Sequence, residues 1–304
     1  MSRRRKARGK TLDVVQRLQQ RVAEGDYYEA LQLYKTSYSR FKAQQKLDDG
    51  DELLVTGAIA MCRENELNAA TELGLLIVTS FEENDRACDE TRLAQLKRVA
   101  EAMTPGVEMS EFLKRAIRWT SNSQEKGAHE LKLIMARSLL AIGRLGDAAR
   151  YFAISGRPDE YASLIHQWSS KGYPGERDMF LCRAVLHTLS CNRMDDAAVL
   201  FKLVGDALAA KEDRSGGAET VLDSPLCHFT SFVLELCQAK SKSGAPSCEM
   251  VKTFQGLRKV YQDSLDRDPH FDEMLDRIGH VHFGIKPARP EGLMGMLGQL
   301  MGGV

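Results

Sequence analysis

The sequence lacks several features that would assign it to a common class of protein. Its 42 Lys and Arg residues balance 42 Asp and Glu residues, so it has no basic excess of the kind that general nucleic-acid or membrane-surface binding requires. Its longest apolar run, around residues 73–78, is far shorter than the roughly 18 residues of a membrane-spanning helix. A hydrophobic share of 43% over 304 residues is nevertheless enough for a substantial core.

The sequence also lacks the marks of an exported, disulfide-bonded protein. Its basic first ten residues are followed by polar positions rather than by an apolar stretch, which predicts no secretory signal peptide. Its seven cysteines are odd in number and include no closely spaced pair, which argues against a disulfide framework. We therefore expect a protein of the cytosol with reduced thiols.

Residues with catalytic or metal-binding side chains form no recognisable motif. There is no glycine-rich phosphate loop, no GxSxG and no HExxH. Three aspartates share a helical face but have arginines beside them, which favours a solvated, salt-bridged face. Two cysteines and a histidine lack a matched fourth ligand, so small core residues are the better interpretation. The sequence therefore predicts no enzyme, no metal and no cofactor. The three aspartates are Asp268, Asp272 and Asp276, and the two cysteines and the histidine are Cys182, Cys191 and His187.

Residue preference predicts an all-α fold. Leucine (36) and alanine (30) far outnumber isoleucine (9), so strong helix formers are preferred over β-branched residues. Ser224-Pro225 and Asp268-Pro269 each resemble a helix N-cap followed by proline at the first helical position. Apolar residues recur at helical spacing, without the alternation typical of strands, for example at Ala197, Leu200, Phe201 and Val204.

Similar helix breaks predict a repeat. Four glycine or asparagine residues each stand five positions before an alanine, and three of these alanines have an aromatic residue four positions further on. The separations indicate a step near 40 residues, typical of stacked helical hairpins. We therefore predict a right-handed superhelical solenoid of the tetratricopeptide or HEAT type, with a non-repetitive helical bundle as the alternative. The four pairs are Gly25 with Ala30, Asn65 with Ala70, Gly143 with Ala148, and Asn192 with Ala197.

Composition divides the chain into three segments. We expect residues 1–10 to form a flexible basic tail, 11–285 a single α-solenoid, and 286–304 an apolar tail rich in Met, Gly and Leu. The solenoid has an amino-terminal half, 11–150, and a carboxy-terminal half, 151–285. Within the second half, a Gly-Gly step in residues 211–223 suits either a small β-hairpin or a loop.

Several short segments, taken in order, resemble one known family. An early segment reads GDYYEALQ at 25–32, and a central one reads AARYF at 148–152. In the carboxy-terminal part, DSPL at 223–226, RDP at 267–269, DRIG at 276–279 and FG at 283–284 follow. Their order and spacing resemble the Golgi-to-ER traffic protein 4 family, the helical scaffold of the guided-entry pathway for tail-anchored membrane proteins.

The resemblance implies a non-catalytic cytosolic scaffold. It would bridge the ATPase that targets tail-anchored proteins to the endoplasmic reticulum and a ubiquitin-like adaptor that recruits co-chaperones. In animals a BAG-domain chaperone would also join, whereas nucleic acid and direct membrane insertion are not expected. The alternative is an α-solenoid subunit of another multiprotein assembly, similar to the proteasome lid.

The resemblance also assigns two sets of interface residues. The amino-terminal candidate set faces the ATPase, and within it only Tyr28 falls off the apolar stripe of its helix, which favours a surface position. The carboxy-terminal candidate set faces the ubiquitin-like adaptor. The amino-terminal candidate set is Tyr27, Tyr28, Leu31 and Tyr34, and the carboxy-terminal candidate set is Val221, Leu222, Phe229, Phe232, Val233, Leu236, Phe283 and Ile285.

Overall fold

The structure, a computed structural model, describes residues 17–18, 20–123, 128–215 and 221–286. Within these ranges the chain is helical and contains no strand, which confirms the predicted all-α class. The chain divides into two compact units, Met1–Ser155 and Gly156–Val304. Both predicted tails lie outside the described residues, apart from Lys286.

The first unit is a two-layer stack of helices. Successive helices pack on each other, with the exception of α3 and α4. In addition, α1, α3 and α5 pack in one layer while α2, α4 and α6 pack in the other. This is the arrangement of stacked helical hairpins that the repeat predicted. The helices are α1 (Tyr27–Ala43), α2 (Leu47–Arg63), α3 (Leu67–Glu83), α4 (Glu90–Ala102), α5 (Val107–Ser123), α6 (His129–Ala141) and α7 (Leu145–Phe152), preceded by helical residues 20–23.

The second unit is built around one central helix, α9. Four other helices, α8, α10, α11 and α14, all pack against it. None of the helices described in either unit combines the length and the apolar composition that crossing a membrane requires. The helices of this unit are α8 (Pro158–Ser169), α9 (Arg177–Ser190), α10 (Met194–Ser215), α11 (Pro225–Ser243), α12 (Cys248–Val260), α13 (Gln262–Leu265) and α14 (His270–Phe283), with 3-10 turns at Pro174–Glu176 and Val221–Asp223.

One type of turn joins six pairs of successive helical segments. A residue with positive φ ends each helix, and the N–H of the next residue bonds to a carbonyl five positions back, as in the Schellman motif. In the first unit these turns recur every 20 residues, because α1, α2 and α3 are each 17 residues long and start at 27, 47 and 67. The predicted step of 40 therefore comprises two helices. The turn residues are Gly25, Gln45, Asn65, Asp85, Gly143 and Asn192.

A small residue near the start of the following helix allows that helix to approach its neighbour closely. Ala30, Ala70, Ala148 and Ala197 are all fully buried, as the repeat predicted. After Gln45 the same position is taken by Gly50, where a Cβ would lie only 3.2 Å from Phe41. Sequence reasoning missed this turn, because glutamine rarely adopts the left-handed conformation that Gly and Asn favour.

Buried aromatic rings fill the spaces beside helical glycines. Tyr34 of α1 lies against Gly57 of α2, and Phe112 of α5 lies against Gly74 of α3. Both rings are fully buried. Gly74 stands where the other repeats have an aromatic residue, and Phe112 of α5 fills the space there instead.

In its described residues the segment 211–223 does not form the β-hairpin, one of the two alternatives that the sequence left open. Residues 211–215 continue α10, and Val221–Asp223 forms a 3-10 turn. Residues 216–220 lie outside the described ranges. The polar, strongly helix-forming sequence at 211–214 extends the preceding helix instead of starting a strand.

Both predicted proline caps are present, one of them shifted by a residue. Ser224 accepts a hydrogen bond from the N–H of Cys227, and Pro225 is the first residue of α11. The last helix begins at His270, one residue later than predicted, while the carboxylate of Asp268 accepts a hydrogen bond from its N–H at 3.1 Å. In each case a side-chain oxygen satisfies a donor that the first turn leaves free.

We expect Gly57→Ala to destabilise the protein. The new Cβ would lie 2.7 Å from the Tyr34 ring, and the overpacking should lower the free energy of unfolding by about 1–3 kcal/mol. The matched control is Gly256→Ala in α12, where nothing lies within 4 Å of a Cβ. Because alanine favours the helix more than glycine does, this change should raise the free energy of unfolding by about 0.5–1 kcal/mol. Urea denaturation followed by circular dichroism measures both, and equal effects would contradict the close packing.

Candidate protein-interaction surfaces

The first two residues of the amino-terminal candidate set lie at the start of α1. Tyr28 is 75% exposed, as its position off the apolar stripe predicted. Tyr27 is half-buried and donates a hydrogen bond from its hydroxyl to Glu64 at 3.4 Å. The turn that starts the helix is held by an ion pair between Arg21 and Asp26 at 3.1 Å. Tyr28 is therefore an aromatic side chain presented to solvent at a fixed helix end.

The other two residues of this set belong to the core. Leu31 and Tyr34 are buried, since they follow the stripe of α1 that packs on α2. Burial raises the pKa of Tyr34 to about 12, and its hydroxyl has no hydrogen-bond partner among the described residues. Direct contact of Leu31 and Tyr34 with a partner is thus a prediction that the structure corrects.

Charged side chains link α1 to α3 beside this surface. Lys35 pairs with Glu72, and Lys42 pairs with Glu83 at 2.6 Å. Leu33, which sequence reasoning did not single out, is 42% exposed on the same helix. The surface around α1 therefore combines separate apolar side chains with partly exposed, solvent-screened ion pairs.

The carboxy-terminal candidate set is divided between two sides of α11. Phe229 and Val233 are fully buried, whereas Phe232 is 42% exposed and Leu236, one turn later, is half-buried. Only part of the helical stripe predicted from the sequence, Phe229 and Val233, thus faces the core. Phe229 and Val233 are corrected to core residues, because a helix in contact with α9 must bury that stripe.

A residue that sequence reasoning missed completes this surface. The Tyr261 ring lies 5.6 Å from Phe229 and 6.4 Å from Phe232, centroid to centroid, so it connects the core to the surface. Its neighbour Val260 is 79% exposed at the end of α12. Tyr261 lies between two helices, where no apolar periodicity identifies it. We call Phe232, Leu236, Val260 and Tyr261 the α11 patch.

The remaining members of the set flank α11. Val221 and Leu222 are half-buried in the 3-10 turn, and Leu222 packs against Gly205 of α10. Ile285 is also half-buried and packs beside Gly279. Phe283 is corrected to a core residue, because its ring is buried 4.9 Å from the Phe254 ring.

Two arginine–aspartate pairs tie the chain before α14 to α9. Arg267 binds both carboxylate oxygens of Asp178, at 2.6 and 3.1 Å. Arg183 binds the buried Asp268 at 2.7 Å. Bidentate geometry and partial burial make such pairs stronger than exposed ones. They fix α14 on the central helix of the unit.

The metal-type ligands do not converge among the described residues, where no group of three or more could hold an ion. Asp272 and Asp276 pair with Arg258, which matches the predicted salt-bridged face, but Asp268 is buried. His280 is exposed, whereas the Nε2–H of the buried His282 donates to the Leu189 carbonyl at 2.9 Å.

The fold and these surfaces define a class: an all-α protein of stacked helical hairpins that presents apolar and aromatic side chains on its helices. The family model described as GET4: Golgi to ER traffic protein 4 matches residues 44–301. The chain belongs to the Golgi to ER traffic protein 4 family, as the sequence motifs predicted.

Curated relatives agree with this assignment over nearly the whole chain. The Golgi to ER traffic protein 4 homolog of Homo sapiens is 30% identical over 297 residues, 97% of this chain and 86% of that protein. The homolog of Gallus gallus is 32% identical over 296 residues, with the same shares. A solved structure, the crystal structure of C. therm. Get4, is similar in fold with a TM-score of 0.78. It is 22% identical, and the match covers 97% of this chain and 96% of that one.

We expect Tyr34→Phe to stabilise the protein. The change removes a buried hydroxyl that lacks a hydrogen-bond partner among the described residues and should raise the free energy of unfolding by about 1 kcal/mol. The control Tyr28→Phe, at an exposed ring, should change it by less than about 0.5 kcal/mol. Urea denaturation of both variants tests this, and a destabilising Tyr34→Phe would show that the hydroxyl is bonded in solution.

We expect His282 to make the protein less stable at acidic pH. Burial lowers the pKa of His282, so the folded state resists protonation that the unfolded state accepts. Stability should therefore be lost as the pH falls below the unfolded value of about 6.5. His282→Gln, whose amide can still donate to Leu189, should weaken this dependence between pH 7.5 and 5.5 in urea denaturation. The control His280→Gln, at an exposed histidine, should keep the pH dependence of the unmodified protein. An unchanged pH dependence in His282→Gln would contradict the prediction.

Proposed function

We propose that this chain is a non-catalytic cytosolic scaffold in the targeting of tail-anchored membrane proteins to the endoplasmic reticulum. It bridges a targeting ATPase and a ubiquitin-like adaptor that recruits co-chaperones, with a BAG-domain chaperone as a further partner in an animal complex. Its membership in the Golgi to ER traffic protein 4 family supports this role. The proposal involves no cofactor, no nucleic acid and no insertion into the bilayer.

The observation that carries the proposal is the aromatic pair on the surface of the second unit. Phe232 and Tyr261 remain partly exposed although the core beneath them is filled by Phe229. Large aromatic side chains on a rigid helix supply binding energy at small entropic cost. We therefore assign the α11 patch, together with Leu222 and Ile285, to the ubiquitin-like adaptor.

The surface at the start of α1 is assigned to the ATPase. Tyr28 is its exposed anchor. Arg21 pairs with Asp26 and Glu29 at the start of the helix, and further ion pairs link α1 to α3 along its length. A contact of this kind depends more on electrostatic steering than an apolar patch does, so it should weaken more as salt is raised.

The function of such a scaffold is to hold two partners at once. Two sites on one chain turn the meeting of the partners into an intramolecular event, whose effective concentration exceeds that of either partner free in solution. Hand-over of a substrate between the partners is accelerated without any chemistry on the scaffold.

Two alanine variants separate the two assigned sites. Phe232→Ala should weaken binding of the amino-terminal segment of the ubiquitin-like adaptor by about tenfold or more, because an exposed aromatic anchor is lost. It should leave ATPase binding unchanged. Tyr28→Ala should weaken ATPase binding and leave binding of the adaptor segment unchanged. Isothermal titration calorimetry of the intact chain and both variants, with each partner in turn, measures the four effects.

The controls distinguish a wrong site from a wrong function. Unchanged circular dichroism spectra and melting temperatures exclude unfolding of either variant. If the intact chain binds both partners but neither variant changes affinity, the residue assignments are wrong. If the intact chain binds neither partner, the bridging function is wrong, and a solenoid subunit of another assembly is the next hypothesis.

A further inference from the structure

Two buried cysteines lie in contact between α9 and α11. The Sγ atoms of Cys182 and Cys227 are 3.6 Å apart, although the residues are separated by 45 positions in the sequence. Both side chains are buried, and none of the seven cysteines, all within the described residues, is in a disulfide. Rotation about the side-chain bonds can bring two sulfurs at this distance to the roughly 2.05 Å of a disulfide, provided that the helices allow it.

The two thiols are chemically unequal. Cys227 occupies the first turn of the 19-residue helix α11, where the helix dipole favours a negative charge. Hydrogen bonds from the thiol of Cys182 and the hydroxyl of Ser224 lower the pKa of Cys227, and Arg267 acts in the same direction. Burial raises the pKa of Cys182 instead. Cys227 is therefore the nucleophile of the pair, and Cys182 is the neighbour that can resolve it.

The position of Cys227 near a helix end favours access by a small oxidant. Its neighbours Pro225 and His228 are exposed, although its own side chain is buried. Helix ends open more readily than helix centres. Cys237 provides the contrast, because it is buried further along the same helix and burial raises its pKa to about 12.

We propose that Cys182 and Cys227 form an oxidation site, at which hydrogen peroxide converts the two thiols into an intramolecular disulfide. The Cys227 sulfur attacks a peroxide oxygen, the O–O bond breaks, and the departing hydroxide leaves as water with the thiol proton. The Cys182 sulfur then attacks the resulting sulfenic sulfur, the S–O bond breaks, and a second water carries away the Cys182 proton. The sulfur pair loses two electrons and the peroxide gains them.

The disulfide would join α11 to the central helix of its unit. Oxidation would therefore restrain the helix that carries Phe232 and Leu236 of the α11 patch. The cross-link also closes a long loop in the unfolded chain, which stabilises the folded state. The chemistry itself does not depend on the proposed function.

Peptide mapping of the full chain tests the proposal. The protein is treated with graded hydrogen peroxide, its remaining thiols are alkylated under denaturing conditions, and it is digested without reduction. We expect a peptide pair linked through Cys182 and Cys227, 2 Da lighter than the two thiols, which separates on adding dithiothreitol. Exposed Cys248 is the internal reference. If Cys248 is oxidised while Cys182 and Cys227 both remain alkylatable thiols, the proposal is wrong.

Three serine variants assign the roles. In Cys182→Ser, the sulfenic acid on Cys227 has no resolving thiol and should be captured by dimedone. In Cys227→Ser, Cys182 should stay a thiol at the same peroxide concentration. The matched control Cys237→Ser, on the same helix, should still form the disulfide. Dimedone capture at Cys182 in place of Cys227 would overturn the assignment, and if a variant fails to fold, the mapping of the unmodified chain decides.

Discussion

Close approach of successive helices is the constraint on which the rest of the structure depends. At six turns the helix ends in a left-handed residue, and at five of them a buried alanine, or Gly50, five positions later lets the next helix approach. This close contact leaves no room for a larger side chain at these positions. At a further helical glycine, Gly57, the ring of Tyr34 fills the space that a side chain would take. The turn sets where a helix starts, and the small residue sets how close it lies.

The same constraint decides which side chains remain for partners. A helix in a two-layer stack buries a broad stripe, and residues three or four positions apart on that stripe are committed to the core. Leu31 and Tyr34 are buried in the core for this reason, whereas Tyr28 remains exposed to solvent. On α11 the division is the same, with Phe229 inside and Phe232 outside. The candidate partner contacts are thus the residues that the packing does not use.

The second unit adds polar and thiol contacts around its central helix α9. Asp178 and Arg183 of that helix bind the chain before α14, while Cys182, between them, meets Cys227 of α11. Structural ion pairs and a reactive thiol pair therefore share one helix. The central helix α9 also packs directly on α11, which carries the exposed Phe232.

The sequence by itself determined the all-α class, the hairpin repeat, the cap at Ser224 and the family, because these depend on local spacing and on the order of motifs. It did not reveal the turn at Gln45, whose residue type is unusual in a left-handed conformation. Only the tertiary structure decided which apolar residues face outward, because an amphipathic stripe looks the same whether it meets a core or a partner. It alone brought Tyr261 to Phe232 and Cys182 to Cys227, since helices distant in sequence meet through packing and not through local preference.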